Sequence, residues 1–190
     1  MDQLLRTFIA IELDPSLQEM LGKIQEHLKK SGADVKWVKP SHIHVTLKFL
    51  GEIPLEQVEK VKNVMHRSLD KFTAFPLHIT HLGAFPKMEN PHIIWVGIDP
   101  QQPTLKDIAI FLEEHLSEEG LPKENRDFEP HITLGRMKHS INRFALSQSL
   151  REYAIPQPLT QFVKKIKLFK STLLPTGPLY ETLETVHLRS

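Results

Sequence analysis

The chain spells His-x-Thr-Leu twice, as His44-Val45-Thr46-Leu47 and as His131-Ile132-Thr133-Leu134, once in each half of its 190 residues. Both copies sit in apolar, β-branched stretches that read as buried strands, and strand side chains alternate between faces, so each His shares a face with its Thr. A strand core has little use for that polar pair. The repeat therefore calls for a fold that brings two remote strands to a common cleft, where two imidazoles and two hydroxyls meet one small ligand. That is equipment for acid-base chemistry on a phosphate. With 11 His in the chain, composition alone yields about 0.6 His-x-Thr matches but only about 0.1 with the following Leu. A third triplet, His78-Ile79-Thr80, is followed by His81 and reads as a polar strand face with no catalytic role.

The length suits one folding unit, residues 1–190, made of two lobes that share a cleft. No stretch approaches the roughly 20 apolar residues that cross a bilayer, so no membrane association is expected. Met1 to Asp14 reads as a short polar lead into a strand, without an export signal. The absence of Cys excludes disulfides, thiol nucleophiles and thiolate metal sites, and fits a cytoplasmic protein. A net charge of +1 excludes a polycation held on nucleic acid mainly by phosphate neutralisation. The local run Lys164-Lys165-Ile166-Lys167-Leu168-Phe169-Lys170 reads as a solvated strand edge, with contact to an RNA backbone as the alternative.

Thr7 to Leu13 is an apolar strand, and Asp14-Pro15 opens a helix that runs to about Lys30 before Ser31-Gly32 stops it. Val35 to Val38 and Ile43 to Leu50 are strands, the second ended by Gly51. Apolar residues every three or four positions predict a helix over Leu55 to Leu69. Phe75 to Leu82 and Ile93 to Ile98 read as strands joined by an irregular Gly83 to Pro91 segment that borders the cleft. A helix over Leu105 to Leu116 precedes the second motif strand, and another spans Ile141 to Glu152. Strands over Phe162 to Leu174 and Tyr180 to Leu188, joined by a turn at Pro175-Thr176-Gly177-Pro178, complete the chain. Each half thus holds strands, a helix and a Pro-preceded motif strand, and the order predicts α+β with mainly antiparallel sheets.

In its paired tetrapeptides the chain resembles the two-histidine phosphoesterases, and within them the RNA 2',3'-cyclic phosphodiesterases, also called RNA 2'-5' ligases. The likeness extends to Arg6-x-Phe8-Ile9-Ala10-Ile11, Val35-Lys36-Trp37-Val38, the run His44 to Gly51, Phe85-Pro86 and Trp95-Val96-Gly97. It continues through Phe128-x-Pro130, the run His131 to Arg136, Ser171 and Pro175-x-Gly177-Pro178-x-Tyr180. The resemblance implies a bilobed α+β fold with flanking helices and a pseudo-twofold relation, each lobe giving one His-x-Thr strand to the cleft. It implies RNA with a 2',3'-cyclic phosphate end, or a cyclic nucleotide, as substrate, opened to a 2'-phosphomonoester without metal or other cofactor. It also implies a reversible 2'-5' joining activity. A monomer is expected. Ser41-His42 stands where the family more often has Glu-Asn, and Gly135 where Ala is common.

Opening a cyclic phosphate needs a water deprotonated as it attacks phosphorus and a proton delivered to the departing sugar oxygen. Two imidazoles near pKa 6.5 supply both. The resemblance makes His131 the base and His44 the acid; the nearly symmetric sequence does not set that direction. Thr46 and Thr133 offer hydroxyl donors to the non-bridging oxygens. Arg136 matches the family's phosphate-contacting arginine, yet counting by twos from His131 sends it away from the cleft; a bulge or strand end at Gly135 would restore it. Lys48 has the parity to face the cleft and attract an anion, with a solvent-facing lysine as the equal alternative. Two other readings stand beside this one: a metallohydrolase built on His42 and His44, which lacks a nearby carboxylate, and a non-catalytic RNA-end binding module in the same cleft. A histidine-triad hydrolase is excluded by Thr46 in the third His position.

Overall fold

The computed structural model describes residues 3–99, 103–155, 159–175 and 177–190; Met1, Asp2 and Thr176, which fall within segments interpreted above, lie outside them. Strand β1 (Leu4–Glu12) leads into helix α1 (Pro15–Lys29), where Asp14 is the extended N-cap and Pro15 occupies the first turn, in which its missing N–H costs nothing. Strand β2 (Val35–Trp37) and a 3-10 turn (Pro40–His42) precede β3 (His44–Pro54). Then come α2 (Leu55–Leu69), β4 (Phe75–Lys87), β5 (Asn90–Ile98), α3 (Pro103–Glu118) and β6 (His131–Met137). Helix α4 (Arg143–Glu152), β7 (Leu159–Val163), β8 (Lys165–Leu174) and β9 (Gly177–His187) finish the chain.

All pairings between these strands are antiparallel, in a four-stranded sheet β3-β1-β8-β9 and a five-stranded sheet β2-β6-β5-β4-β7. The α+β expectation therefore holds, with four helices flanking two sheets. Helices α2 and α3 lie on the four-stranded sheet, while α1 and α4 lie on the five-stranded one. The lobes are accordingly not the sequence halves. Helix α1 leaves β1 for the other lobe, α3 leaves β5 for the first, and the chain returns with β8, which pairs with β1, and β9, which pairs with β8. One buried cluster, including Ile9, Val45, Leu47, Met65, Leu112, Ile132 and Leu134, runs between the sheets.

Four local expectations change. Gly51 does not end its strand: it sits inside β3 at φ +73°, a left-handed conformation that suits glycine, beside a register shift opposite Thr7 and Phe8. Gly83 to Pro91 is not irregular, because β4 and β5 continue through it and turn only at residues 88–89. Gly83 is there for close approach rather than for a turn, since a Cβ at that position would come within 2.2 Å of the Trp95 ring. The predicted strand Phe162 to Leu174 is two, with β7 in one sheet and β8 in the other. The lysine run is no edge either: β8 lies between β1 and β9, and its charges are met by acids, Lys167 with Glu12 at 2.6 Å and Lys170 with Glu181 at 2.8 Å.

Candidate active site

Strands β3 and β6 approach each other across the two sheets, and a cavity of about 510 Å³ between them is lined by His44, Thr46, His131, Thr133 and Arg136. All five candidate residues thus meet at one opening. The motif strands share a further feature. Ile9 pairs with Lys48 and Ala10 with Thr46, which leaves Leu47 as an extra residue; Ile94 pairs with Gly135 and Trp95 with Thr133, which leaves Leu134 extra. The Leu of each motif is therefore a β-bulge, and from the His onward both strands follow the same burial order over six residues.

The bulge shifts side-chain parity by one, with opposite consequences in the two lobes. In β6 it returns Arg136 to the cleft, exposed at the cavity wall. In β3 it turns Lys48 away from the cleft, correcting its expected role as an anion attractor. Lys48 is 3% exposed and its Nζ donates to Glu113 Oε2 at 2.7 Å and to the Pro122 carbonyl at 3.1 Å. Phe49 takes the position equivalent to Arg136, is 56% exposed and lines the cavity. Applying to the first motif the bulge that Gly135 suggests for the second would have found it.

Each catalytic candidate is oriented in the same way. His44 Nδ1 lies 2.7 Å from the carbonyl oxygen of His42, and His131 Nδ1 lies 2.7 Å from that of Glu129, two residues back in both cases. A carbonyl only accepts, so Nδ1 carries the hydrogen and Nε2 is left for a ligand. Aromatic walls hold the rings: Phe8 stacks on His44 at 4.9 Å between centroids and Tyr180 meets it edge-on at 5.5 Å. Phe85 meets His131 edge-on at 5.1 Å, and Trp95 lies at 6.2 Å. Burial pushes the His44 pKa below its ordinary value; the hydrogen bond to the His42 carbonyl opposes this, and the nearby His42 charge adds to it. Burial raises Tyr180, which keeps its hydroxyl as a donor at neutral pH.

His42 belongs to the 3-10 turn rather than to the strand, yet it lines the cavity and its ring packs on Tyr180 at 5.1 Å. Among the described residues no group of three or more His, Asp or Glu is arranged to hold a metal ion. His78 lies on β4, where its Nδ1 is 2.9 Å from Thr160 Oγ1 of β7, and serves as a polar strand face. Arg6, Phe8, Glu52, Ser171 and Tyr180, to which the sequence alone gives no role, line the same cavity. Four of these lay in the matched segments, but nothing in their local spacing pointed to a ligand.

The family model for LigT-like phosphoesterases matches this chain twice, over residues 11–95 and 96–180. The chain is 32% identical over 183 residues to the RNA 2',3'-cyclic phosphodiesterase of Methanothermobacter thermautotrophicus, covering 96% of this chain and 98% of that one. It is 33% identical over 180 residues to the protein of the same name from Methanocaldococcus jannaschii, covering 95% and 99%. A crystal structure of a Thermus thermophilus protein superposes with a TM-score of 0.80 at 26% identity, over 97% of this chain and 98% of that one. The doubled match falls where the doubled motif does, one His-x-Thr-Leu in each copy, and the chain therefore belongs to the LigT-like phosphoesterase family.

Proposed function

We propose that the protein is an RNA 2',3'-cyclic phosphodiesterase, the activity for which its relatives are named. The observation that carries this reading is the pair of imidazoles, each with Nδ1 fixed on the carbonyl two residues back, lining one cavity together with Thr46, Thr133 and Arg136. In the forward step His131 takes a proton from water as its oxygen bonds to phosphorus. The bond from phosphorus to the 3'-oxygen breaks, His44 protonates that oxygen, and the phosphate stays on the 2'-oxygen. Thr46, Thr133 and Arg136 donate to the non-bridging oxygens, where charge builds in the transition state. Phe49 offers a flat apolar face beside them for the sugar or base. With an RNA 5'-hydroxyl in place of water, the same displacement forms a 2'-5' linkage. The proposal includes a monomeric, cytoplasmic enzyme that works without metal.

One observation favours a second reading in which the two histidines exchange roles. The lowered pKa of His44 suits a base. An anionic phosphate held against the ring restores its affinity for a proton, so the first assignment needs the ligand to charge its own acid. The pH dependence of kcat/KM in His44→Gln and His131→Gln separates the two, since the variant that lacks the base loses the acidic limb and the one that lacks the acid loses the alkaline limb. Incubating the protein with RNA bearing a 2',3'-cyclic end, with chelator present, is expected to give a 2'-phosphomonoester. A 3'-phosphomonoester would show that the 2'-oxygen leaves instead, and an end that is bound but unchanged would leave a binding module.

A further inference from the structure

The cavity extends past the histidines along the four-stranded sheet, where Arg6 and Ser171 join Tyr180, whose ring also meets His44. Going from Thr46, which pairs with Ala10, the next cleft-facing row is aromatic: Phe49 pairs with Phe8, and Phe8 with Phe169. The row after that is polar. Glu52 pairs with Arg6, Ser171 pairs with Tyr180, and Thr7 pairs with Lys170, so Arg6 stands opposite Ser171 one step on. Glu52, Arg6, Ser171 and Tyr180 all line the 510 Å³ cavity that holds both histidines. Four residue steps along the strand separate Ala10 from Arg6, about 13 Å along the backbone, and the long Arg6 side chain shortens that span.

The members of this row are unspent. Among the described residues Arg6 enters no ion pair within 4.0 Å, while its charge is felt at Tyr180. Ser171 is only 9% exposed, and its hydroxyl has no hydrogen-bond partner among the described residues. A cavity-lining hydroxyl without a partner, beside a guanidinium outside any ion pair and a phenol that keeps its proton, is a donor set in search of an acceptor. An anion with several oxygens satisfies all three, whereas a neutral sugar leaves the guanidinium unmatched. Glu52, on the other side of Arg6, is an acceptor and disfavours an anion there, which confines the anion to the Arg6–Ser171–Tyr180 side.

We propose that Arg6, Ser171 and Tyr180 form a second phosphate subsite, which takes the phosphate on the 5' side of the nucleotide whose cyclic phosphate lies between His44 and His131. The preferred substrate is then the end of an RNA strand rather than a free cyclic nucleotide, with the terminal ribose lying over the aromatic row. This rests on the reaction proposed above, but its test does not require turnover. Calorimetric titration compares adenosine 2'-monophosphate with adenosine 2',5'-bisphosphate, which differ only in the phosphate the subsite would take. The bisphosphate is expected to bind about tenfold or more tightly, as a set of charge-assisted hydrogen bonds implies. That ratio should fall towards one in Arg6→Gln, fall partly in Ser171→Ala, and be largely kept in Arg6→Lys. Equal binding of the two nucleotides by the native protein, no binding of either, or an undiminished ratio in Arg6→Gln would overturn the subsite. A protein with the expected ratio that leaves cyclic ends intact would keep the subsite and lose the reaction.

Discussion

Burial at the His44 ring works against its positive charge, and the sign of that effect can be followed into two measurements. With the folded pKa below the ordinary 6.5, the unfolded chain takes up a proton that the folded chain refuses as pH falls below that value. Stability present above 6.5 is therefore lost with falling pH, until the folded ring also protonates. Urea unfolding between pH 7 and pH 5 should show a shallower loss for His44→Gln than for the native protein, and equal slopes would contradict the assigned burial. In the same way, if His44 is the acid, kcat/KM should decline with rising pH at a point below 6.5, because that profile reports the free enzyme. Lys48 carries a third expectation. Lys48→Met strands Glu113 beside a buried methionine and should cost about 3 kcal/mol in unfolding free energy, with recovery in the double variant with Glu113→Leu. The histidines and threonines were legible in the sequence because a polar pair is costly in a strand core, whereas Arg136 was legible only through the family resemblance. Lys48 and Phe49 were not, because counting by twos assumes a regular strand and Leu47 breaks it.

The elements that brace these bulges come from the opposite side of the chain's own topology. Helix α1, which crosses to the five-stranded sheet, sends the buried Gln25 to the bulge of β6, where Nε2 donates to the Leu134 carbonyl at 2.9 Å and to the Val38 carbonyl at 2.7 Å. Val38 N–H donates to the same Leu134 carbonyl at 2.9 Å. Helix α3, which crosses the other way, sends Glu113 to Lys48, the residue after the bulge of β3. Its second carboxylate oxygen accepts from the Glu124 backbone N–H, in the segment that leads to His131. Each exchanged helix thus fixes the bend on which a motif's parity depends. Gln25→Leu keeps the volume but removes both donors, and should cost about 2 kcal/mol in urea unfolding and reduce kcat more than it changes KM. A variant with native kcat would show that the bulge holds without it. Start and stop residues made α1 readable from the sequence, and apolar periodicity made α2 and α3 so. Register shifts, and the switch of sheets between β7 and β8 at Lys164, depend on which strands flank a segment, and local pattern does not encode that.

At the level of the whole molecule, the two lobes are woven rather than laid end to end, since each sheet draws strands from both halves of the chain. The bilobed arrangement and its cleft were legible through the repeated motif and the family resemblance; the strand order was not, because antiparallel partners such as β1 and β8 lie far apart in sequence. In the proposed reaction the weaving serves one end, which is to aim two imidazoles at a single phosphorus. Groups that act together on one atom do not contribute independently, so removing either should be nearly as damaging as removing both. The direct test is turnover of a cyclic-ended RNA, with chelator present, by the native protein, His44→Ala, His131→Ala and the double variant, each checked for folding. Each single variant is expected to lose almost all of the rate that the double variant loses. Losses that multiply independently, or one single variant that keeps near-native turnover, would contradict a shared phosphorus.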